Sequence, residues 1–526
     1  MPQSAPAPAQ PQWTPSHNPW LIAVAVMLAT FMEVLDTSVA NVSLPHIAGN
    51  LSATTDEATW VLTSYLVANA IILPATNWLG QLFGRKRFLI SCIVIFTLAS
   101  ALCGIAGSLG FLIIARVLQG AGGGALQPIS QAVLLESFPP KKRGAAMAVF
   151  AMGVVVAPIL GPTLGGWITD NYSWRWIFYI NLPIGTLAVV MANAMIEDPP
   201  YLKRISAANI DYIGFGLLSV WLATLQYMLD KGQELDWFSS KPILACAIIS
   251  GAAFIAFIVR ELTADFPIVN LRVLKNRNFA VGCTLILLLG ALLYGTTAIL
   301  PLFMQNLLHY TALDAGIAMS PRGIGALVMT IIVGRIVGKV SAKLLIGVGF
   351  VLLGYACYML GDINLTIGRG SIVTPIVISG VAISLIFVPL TTATMGTLSQ
   401  EQIGNASGIF NLMRNVGGSV GIAMITTLVA RTAQVNQAAL SSHMSPFDPI
   451  FQQRLAAIRH GLAPHGGDWL AVQQAPRVLY GILQQQAALL SYVNNFRFFA
   501  ITCLVCAPLV LLFKKVSKPA GPIAAH

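Results

Sequence analysis

The feature that most constrains this chain is a series of long apolar segments spread along its whole length. Each holds about 20 predominantly apolar residues, which is the length that an α-helix needs to cross about 30 Å of hydrocarbon. Strands of a membrane barrel are shorter and alternate in hydrophobicity, so the segments predict helices. Fourteen are expected, at residues 21–44, 57–79, 88–107, 111–134, 145–168, 174–196, 211–230, 242–260, 279–301, 314–338, 343–361, 372–394, 406–430 and 493–513.

Composition and charge agree with an all-α polytopic membrane protein. Hydrophobic residues make up 56% of the chain and charged residues 9%, and the mean hydropathy is +0.76. Lysine and arginine concentrate in alternate loops, for example at 85–87 and 141–143, whereas the loops at 45–56, 108–110 and 169–173 hold none. This distribution places both termini in the cytoplasm. It accounts for the net charge of +11 without a nucleic-acid partner, although basic edges can contact membrane lipid.

The helices group as six, two and six. The N-terminal residues lack the basic start and cleavage site of a secretory signal, so the first span is expected to stay in the mature protein. A faint similarity between the fifth spans of the two halves is typical of transporters built from related halves. The expected divisions are a cytoplasmic tail at 1–20, a first half at 21–196, a linker with two extra helices at 197–278, a second half at 279–513 and a tail at 514–526.

One long polar segment, residues 431–492, lies between the last two spans and is expected on the outer side. It is rich in glutamine and carries four prolines. Apolar residues recur at helical spacing around 451–462 and 478–490, which predicts short helices on a surface or against a partner protein.

Two acidic residues, Glu33 and Asp36, lie within the first apolar segment. An ionised carboxylate in the middle of a membrane helix costs about 2.5–3.5 kcal/mol even on a lenient scale. Their i, i+3 spacing puts both on one helix face, where they can share a cavity and a proton. The other acids fall in loops or near span ends, so any carboxylate-based proton transfer is expected to pass through this pair.

Three motifs resemble those of the major facilitator superfamily. GVVVAPILGPTLGG resembles the antiporter motif of the fifth span, and LIIARVLQGAGGG resembles a fourth-span motif with a buried arginine that takes part in proton transfer. LDTSVANVSLP is similar to the first-span motif of drug/proton antiporters, and LGQLFGRKR matches the loop motif between spans two and three in part. The matching residues are Asp36, Asn41, Pro45, Leu79, Gly84, Arg85, Lys86, Arg116, Gln119, Gly120, Gly153, Pro158, Gly161, Pro162, Gly165 and Gly166.

The resemblance extends over almost the entire chain and is greatest to the fourteen-span EmrB/QacA type. It implies the major facilitator fold, a bacterial inner-membrane location, and export of amphipathic drugs driven by protons. It also implies a periplasmic adaptor and an outer-membrane channel as partners, with 431–492 as a docking candidate. Export or translocation of lipids or fatty acids by the same fold is the alternative. The substrate is not indicated by any motif.

The residues themselves suggest how protons are coupled. Asp36 lies about eight residues, ~12 Å, from the outer end of the first span, and Arg116 lies at a similar depth in the fourth span, which runs inward. A guanidinium holds a neighbouring carboxylate ionised, and protonating the carboxylate releases the arginine. Asp36 is the expected proton carrier, with Glu33 beside it. The alternative is a structural ion pair that fastens two helices.

Other in-span residues are candidates for a substrate cavity or gate. Arg414 and Arg322 can bind an anionic substrate group, form a gate salt bridge, or extend to the membrane surface. Aromatic faces suit planar or cationic ligands, although each of these residues can equally serve helix packing. The full set is Asn41, Gln119, Tyr65, Tyr294, Phe387, Phe410, Asn411, Arg414 and Arg322.

Enzyme motifs are not supported. Residues 417–421 satisfy G-x-S-x-G, but they lie in an apolar helix with no strand before them, so acyl-transfer chemistry is not expected. No phosphate-binding G-x-x-x-x-G-K-[ST] sequence is present, so transport driven by ATP is unsupported. We expect neither an enzyme nor a cofactor or metal site.

Overall fold

The computed structural model describes residues 15–139, 142–199, 211–337, 339–365, 367–442 and 444–514. Within these ranges the regular secondary structure is helical throughout. Most of the two tails expected at 1–20 and 514–526 lies outside the described residues.

Among the described residues, fourteen helices are long and apolar enough to cross a membrane, which confirms the predicted number. Three of them consist of two helical segments separated by a short break. Their bounds are α1 Pro19–Asn50, α2 Trp60–Phe83, α3 Arg85–Gly104, α4 Leu109–Gly123 with Leu126–Ser137, α5 Arg143–Asn171, α6 Trp176–Tyr179 with Asn181–Met195, α7 Tyr212–Lys231, α8 Lys241–Thr263, α9 Arg277–Asn306, α10 Ala312–Met319 with Pro321–Ile336, α11 Ala342–Leu360, α12 Arg369–Met395, α13 Gln400–Ser441 and α14 Pro449–Leu509. Short helical turns lie at Thr55–Ala58, Trp237–Ser239, Leu271–Lys275 and Val510–Leu512.

Polar residues placed just before several helices define where these helices begin. The Ser108 hydroxyl accepts a hydrogen bond from the amide of Phe111 at the start of α4, and the Asp448 carboxylate accepts two at the start of α14. Ser399 and Gln402 form a reciprocal capping box at α13. These side chains satisfy amides that have no partner within the helix, so a polar residue marks the helix start.

The first helix of each half packs closely against the fifth helix of that half. In the first half α5 lies along α1, and in the second half α13 lies along α9. Gly161 of α5 is so close to Ser38 of α1 that a Cβ atom would overlap this side chain. Gly417 of α13 is equally close to the carbonyl group of Leu287 in α9. The faint similarity between the fifth spans therefore corresponds to the same packing role in both halves.

The two linker helices, α7 and α8, pack on each other, and α7 also contacts α2 and α13. The ammonium of Lys231 donates to the hydroxyl of Thr59 next to α2 over 2.7 Å. The indole of Trp237, just after α7, donates to the hydroxyl of Thr427 in α13 over 3.0 Å. The linker is therefore attached to both halves through its outer end.

The outer segment 431–492 differs from the expected loop with short helices. Helix α13 continues to Ser441, and α14 begins at Pro449 and runs on into the membrane. Its helical geometry is interrupted at Gly467, whose φ is +78°. The segment is helical over this length because buried side chains recur every four residues and pack as one helix face. They belong to Ala471, Ala475, Leu479, Leu483 and Ala487.

Candidate functional site

Close packing of α5 on α1 holds the segment of α1 that carries the two acids. Pro162 has no amide hydrogen, so the carbonyl of Pro158 one turn earlier lacks its usual helical donor. The hydroxyl of Ser38 donates to that carbonyl over 3.1 Å. Gly165 also lies against Val39, so glycines of the antiporter motif let α5 pack closely on α1 at successive turns. Gly166 has more room, because a Cβ there would meet its nearest atom at 3.9 Å.

The structure brings Asp36 and Arg116 together in a fully buried ion pair. The Nη1 atom of Arg116 lies 2.6 Å from the Oδ2 atom of Asp36, and the two side chains are 0% and 1% exposed. The other carboxylate oxygen accepts from the amides of Gln119 at 2.8 Å and Asn181 at 2.7 Å. Three donors from two other helices therefore converge on one carboxylate.

The guanidinium of Arg116 is held in position from several sides. It donates to the carbonyl of Val61 over 3.0 Å and to the Oε1 atom of Gln119 over 2.7 Å. Its centre lies 4.2 Å from the centroid of the Tyr65 ring and 5.6 Å from that of Phe178. These contacts come from α2, α4 and α6, so the ion pair joins α1 to three neighbouring helices.

Glu33 lies on the same face of α1 in a second polar cluster. One of its oxygens accepts from the hydroxyl of Tyr65 at 3.4 Å and from the amide of Asn69 at 3.2 Å. The other accepts from the amide of Gln127 at 2.5 Å. The carbonyl oxygen of this same Gln127 accepts a hydrogen bond from Arg414 of α13. A glutamine thus connects the acid of the first half to an arginine of the second half.

Polar contacts between the halves continue along α4 and α13 toward the basic, inner end. The hydroxyl of Ser407 donates to the carbonyl of Pro128 at 2.8 Å and to the Oε1 atom of Gln131 at 3.0 Å. The amide of Asn411 donates to that same Gln131 oxygen at 2.7 Å. Asn411, proposed for a substrate cavity, is therefore buried between the halves.

At the inner end, Arg85 forms a buried ion pair with Glu136 of α4. Gly404 of α13 lies so near the side chains of Asn77 and Arg85 that a Cβ atom would contact both. The partly matching loop motif therefore lies where the two halves meet, with an uncharged Asn77 facing α13.

The remaining candidate residues occupy different surroundings. Asn41 is exposed, and its amide donates to the carbonyl of Thr37 in its own helix. The side chains of Phe387 and Phe410 are buried in the apolar core, whereas Tyr294 is partly exposed with its ring against Gly418. Arg322 of α10 is buried, and it donates to hydroxyls of α9 rather than to a carboxylate of the described chain.

Three residues of the site escaped the sequence reasoning: Asn69, Gln127 and Asn181. Each is an amide side chain within an apolar segment. An unpaired amide is costly in hydrocarbon, so its position in such a segment indicates a buried polar partner. The glycines near Gln127 also have a structural purpose, because Gly120 and Gly124 lie directly against the carbonyls of Tyr65 and Asn69. This proximity brings the polar side chains of α2 within reach of Glu33.

Fourteen candidate membrane helices within the described ranges, with a buried acid–arginine pair among them, define a secondary transporter of the inner membrane. A family model described as the Major Facilitator Superfamily matches residues 26–422. The chain belongs to the major facilitator superfamily.

Known relatives support this assignment over most of the chain. It is 40% identical to the multidrug export protein EmrB of Haemophilus influenzae over 433 residues, which cover 82% of this chain and 84% of that protein. It is 37% identical to the fatty acid resistance protein FarB of Neisseria gonorrhoeae over 498 residues, which cover 94% of this chain and 96% of that protein. The structure is similar to that of the human organic anion transporter MFSD10, with a TM-score of 0.58 and 13% sequence identity. The similarity covers 93% of this chain and 100% of that chain. This last similarity concerns the fold alone.

Proposed function

We propose that this protein exports amphipathic drugs in exchange for protons and that Asp36 carries the proton. The single observation that carries the proposal is the buried Asp36–Arg116 ion pair with its amide donors. Similarity to a multidrug export protein supports the drug as cargo.

Protonation of Asp36 changes the forces on several helices at once. A neutral carboxyl attracts the Arg116 guanidinium much less, and arginine cannot lose its own proton. The buried cation must then find other partners, which favours a shift of α4 relative to α1. A proton entering from the outer side drives this step, and a cationic or apolar drug binds in competition with the protonated state.

Glu33 is proposed to modulate the same step. It lies one helical turn from Asp36, and Gln127 connects it to Arg414 of the opposite half. A charge change at Glu33 therefore acts on the interface between the halves. Asn41, Gln119, Tyr65, Tyr294, Phe387 and Phe410 are proposed as residues that line or support the drug path.

The outer segment 431–492 is proposed to dock on a periplasmic adaptor that leads to an outer-membrane channel. It exposes large apolar side chains, including Phe447 at 93% and Trp469 at 74%. Replacing these two by serine is expected to abolish co-purification with the adaptor, whereas Gln474→Ser on the same helix is expected to preserve it. Co-purification of the double variant at the wild-type level would refute the docking proposal.

Fatty-acid export is a second candidate. It is favoured by the similarity to a fatty acid resistance protein over nearly the whole chain. It uses the same proton step at Asp36 and differs in the cargo.

Uptake of a fluorescent cationic drug into inside-out vesicles tests the main proposal. An imposed gradient, acidic inside, is expected to drive uptake by the wild type and by Asp170→Asn, whose acid is at the outer end of α5. Asp36→Asn is expected to reduce gradient-driven uptake to background. Uptake by Asp36→Asn at the wild-type rate would refute proton transfer at Asp36.

A further inference from the structure

The buried charges in the middle of the described membrane helices do not balance. Two are carboxylates, Glu33 and Asp36, and three are guanidinium groups, Arg116, Arg322 and Arg414. Arg116 is paired with Asp36 directly, and Arg414 is connected to Glu33 through Gln127. Arg322 is therefore the arginine whose charge no described acid compensates.

The partners of Arg322 are neutral hydroxyl groups. Its Nη1 atom lies 2.9 Å from the hydroxyl of Thr297, and its Nη2 atom lies 3.1 Å from that of Thr296. In this structure both hydroxyls donate their own hydrogen to backbone carbonyls of α9 and accept from the arginine. Within the described residues the Nε atom of Arg322 has no partner, and the residue is 5% exposed.

A buried guanidinium with neutral partners has a high affinity for an anion. Arginine stays protonated in proteins, so it cannot relieve the cost of burial by losing its charge. A carboxylate offers two oxygens that match the guanidinium and gives shorter, stronger hydrogen bonds than a hydroxyl. The hydroxyls of Thr296 and Thr297 can rotate to donate to the same anion, so the surroundings also suit it.

The neighbourhood of Arg322 provides access and an apolar contact. Thr297 and Tyr294 are three residues apart on one face of α9, and both are partly exposed. The ring of Tyr294 rests on Gly418 of α13, where a side chain would displace it. Gly380 of α12 lies directly against the carbonyl of Arg322, so the backbone that carries the guanidinium is held in place.

We propose that Arg322, with Thr296 and Thr297, forms a subsite for the anionic head group of an amphipathic substrate, with Tyr294 beside its apolar part. This proposal rests on the export function proposed above, because it assigns one substrate class, amphipathic carboxylates, to that transporter. Cationic and neutral substrates do not use the guanidinium. The subsite and the proton-binding acid then lie in different halves of the molecule.

Equilibrium binding to the purified full-length protein tests the subsite without transport. The probes are dodecanoate, its methyl ester and dodecyltrimethylammonium, followed by tryptophan fluorescence. The wild type is expected to bind dodecanoate more tightly than the ester. Arg322→Gln is expected to weaken dodecanoate binding about 10- to 100-fold, as for loss of a charge-assisted hydrogen bond, and to change binding of the cation less than about twofold. Arg335→Gln, on the same helix but exposed at the inner end, is expected to change neither.

Arg322→Lys keeps the test decisive if the glutamine variant does not fold. It retains the charge but not the two-pronged geometry, so dodecanoate binding is expected to weaken about 3- to 10-fold. Unchanged dodecanoate binding in a folded variant, or equal loss of the anion and the cation, would overturn the subsite. Failure of the export function is distinguishable, because it abolishes gradient-driven uptake of the cation by the wild type and leaves these binding constants as they are.

Discussion

The two halves of this transporter treat buried charge in opposite ways. In the first half, the guanidinium of Arg116 meets a carboxylate at 2.6 Å, and neutral amides complete the coordination of that acid. In the second half, Arg414 and Arg322 donate to a glutamine and to two threonines, and no described carboxylate pairs with either one. The first half thus pairs its buried cation with a carboxylate, whereas the second half places its buried cations beside neutral groups.

This difference separates two tasks that an antiporter must couple. In the function proposed above, a proton acts on the Asp36–Arg116 pair and shifts the helices of the first half, while the second half presents the positive charge of Arg322 and Arg414. The link between them is Gln127, whose amide and carbonyl contact Glu33 and Arg414 respectively. Substitutions at the ion pair, at the helix contacts and at Gln127 test this contrast between the halves.

Arg116→Gln removes the cation of the buried ion pair in the first half. It leaves Asp36 buried without a counter-charge, and breaking a buried pair in this way typically costs about 3–5 kcal/mol of stability. We expect proton-driven drug uptake in vesicles to fall to background, because the variant has no cation that protonation of Asp36 can release. Arg335→Gln serves as the matched control. Uptake above about one third of the wild-type rate would contradict a coupling role for the pair.

Gly417→Ala and Gly161→Ala test the equivalent helix contacts of the two halves. The added methyl group meets the backbone carbonyl of Leu287 at Gly417 and the side chain of Ser38 at Gly161. Overpacking costs about 1–3 kcal/mol, and we expect the larger loss at Gly417 because a backbone group cannot rotate away. The midpoint temperature of thermal unfolding in detergent measures this loss of stability. Gly166→Ala, with room for a methyl group, should have a small effect. Equal stability of Gly417→Ala and Gly166→Ala would contradict the packing account.

The link between the halves is expected to be weak but measurable. A double-mutant cycle with Gln127→Leu and Arg414→Leu isolates the energy shared by these two side chains. We expect a coupling energy of about 1 kcal/mol, typical of one buried hydrogen bond, from the stability of the four proteins. A cycle with Gln127→Leu and Arg335→Leu, which are not in contact, should give nearly zero. Equal coupling energies in the two cycles would contradict an energetic link between Gln127 and Arg414.

The number of helices and the depth of the ion pair followed from the sequence. An apolar segment of about 20 residues has one way to satisfy its backbone in lipid, so each predicts a helix. Asp36 and Arg116 were placed at the same depth by counting residues from the span ends, and the structure has them in contact. The rise per residue of an α-helix is sufficient for this inference.

Residues that depend on how helices rotate against each other could not be predicted. Gln127 reaches Glu33 and Arg414 because a glycine-rich stretch lets α2 and α4 approach, and no pattern in one sequence specifies that rotation. Asn181 follows the break in α6, and its contact with Asp36 needs the packing of α6 on α1. The polar composition and apolar spacing of the outer segment predict only short helices, yet its buried alanines and leucines pack as one face of a long helix.

The most direct test of proton transfer at Asp36 is drug-induced proton release from the purified protein in weakly buffered detergent. We expect the wild type and Asp170→Asn to release protons when a cationic drug is added. Asp36→Asn is expected to bind the drug and release none. Release from Asp36→Asn equal to that from the wild type would contradict the assignment of Asp36 as the proton carrier.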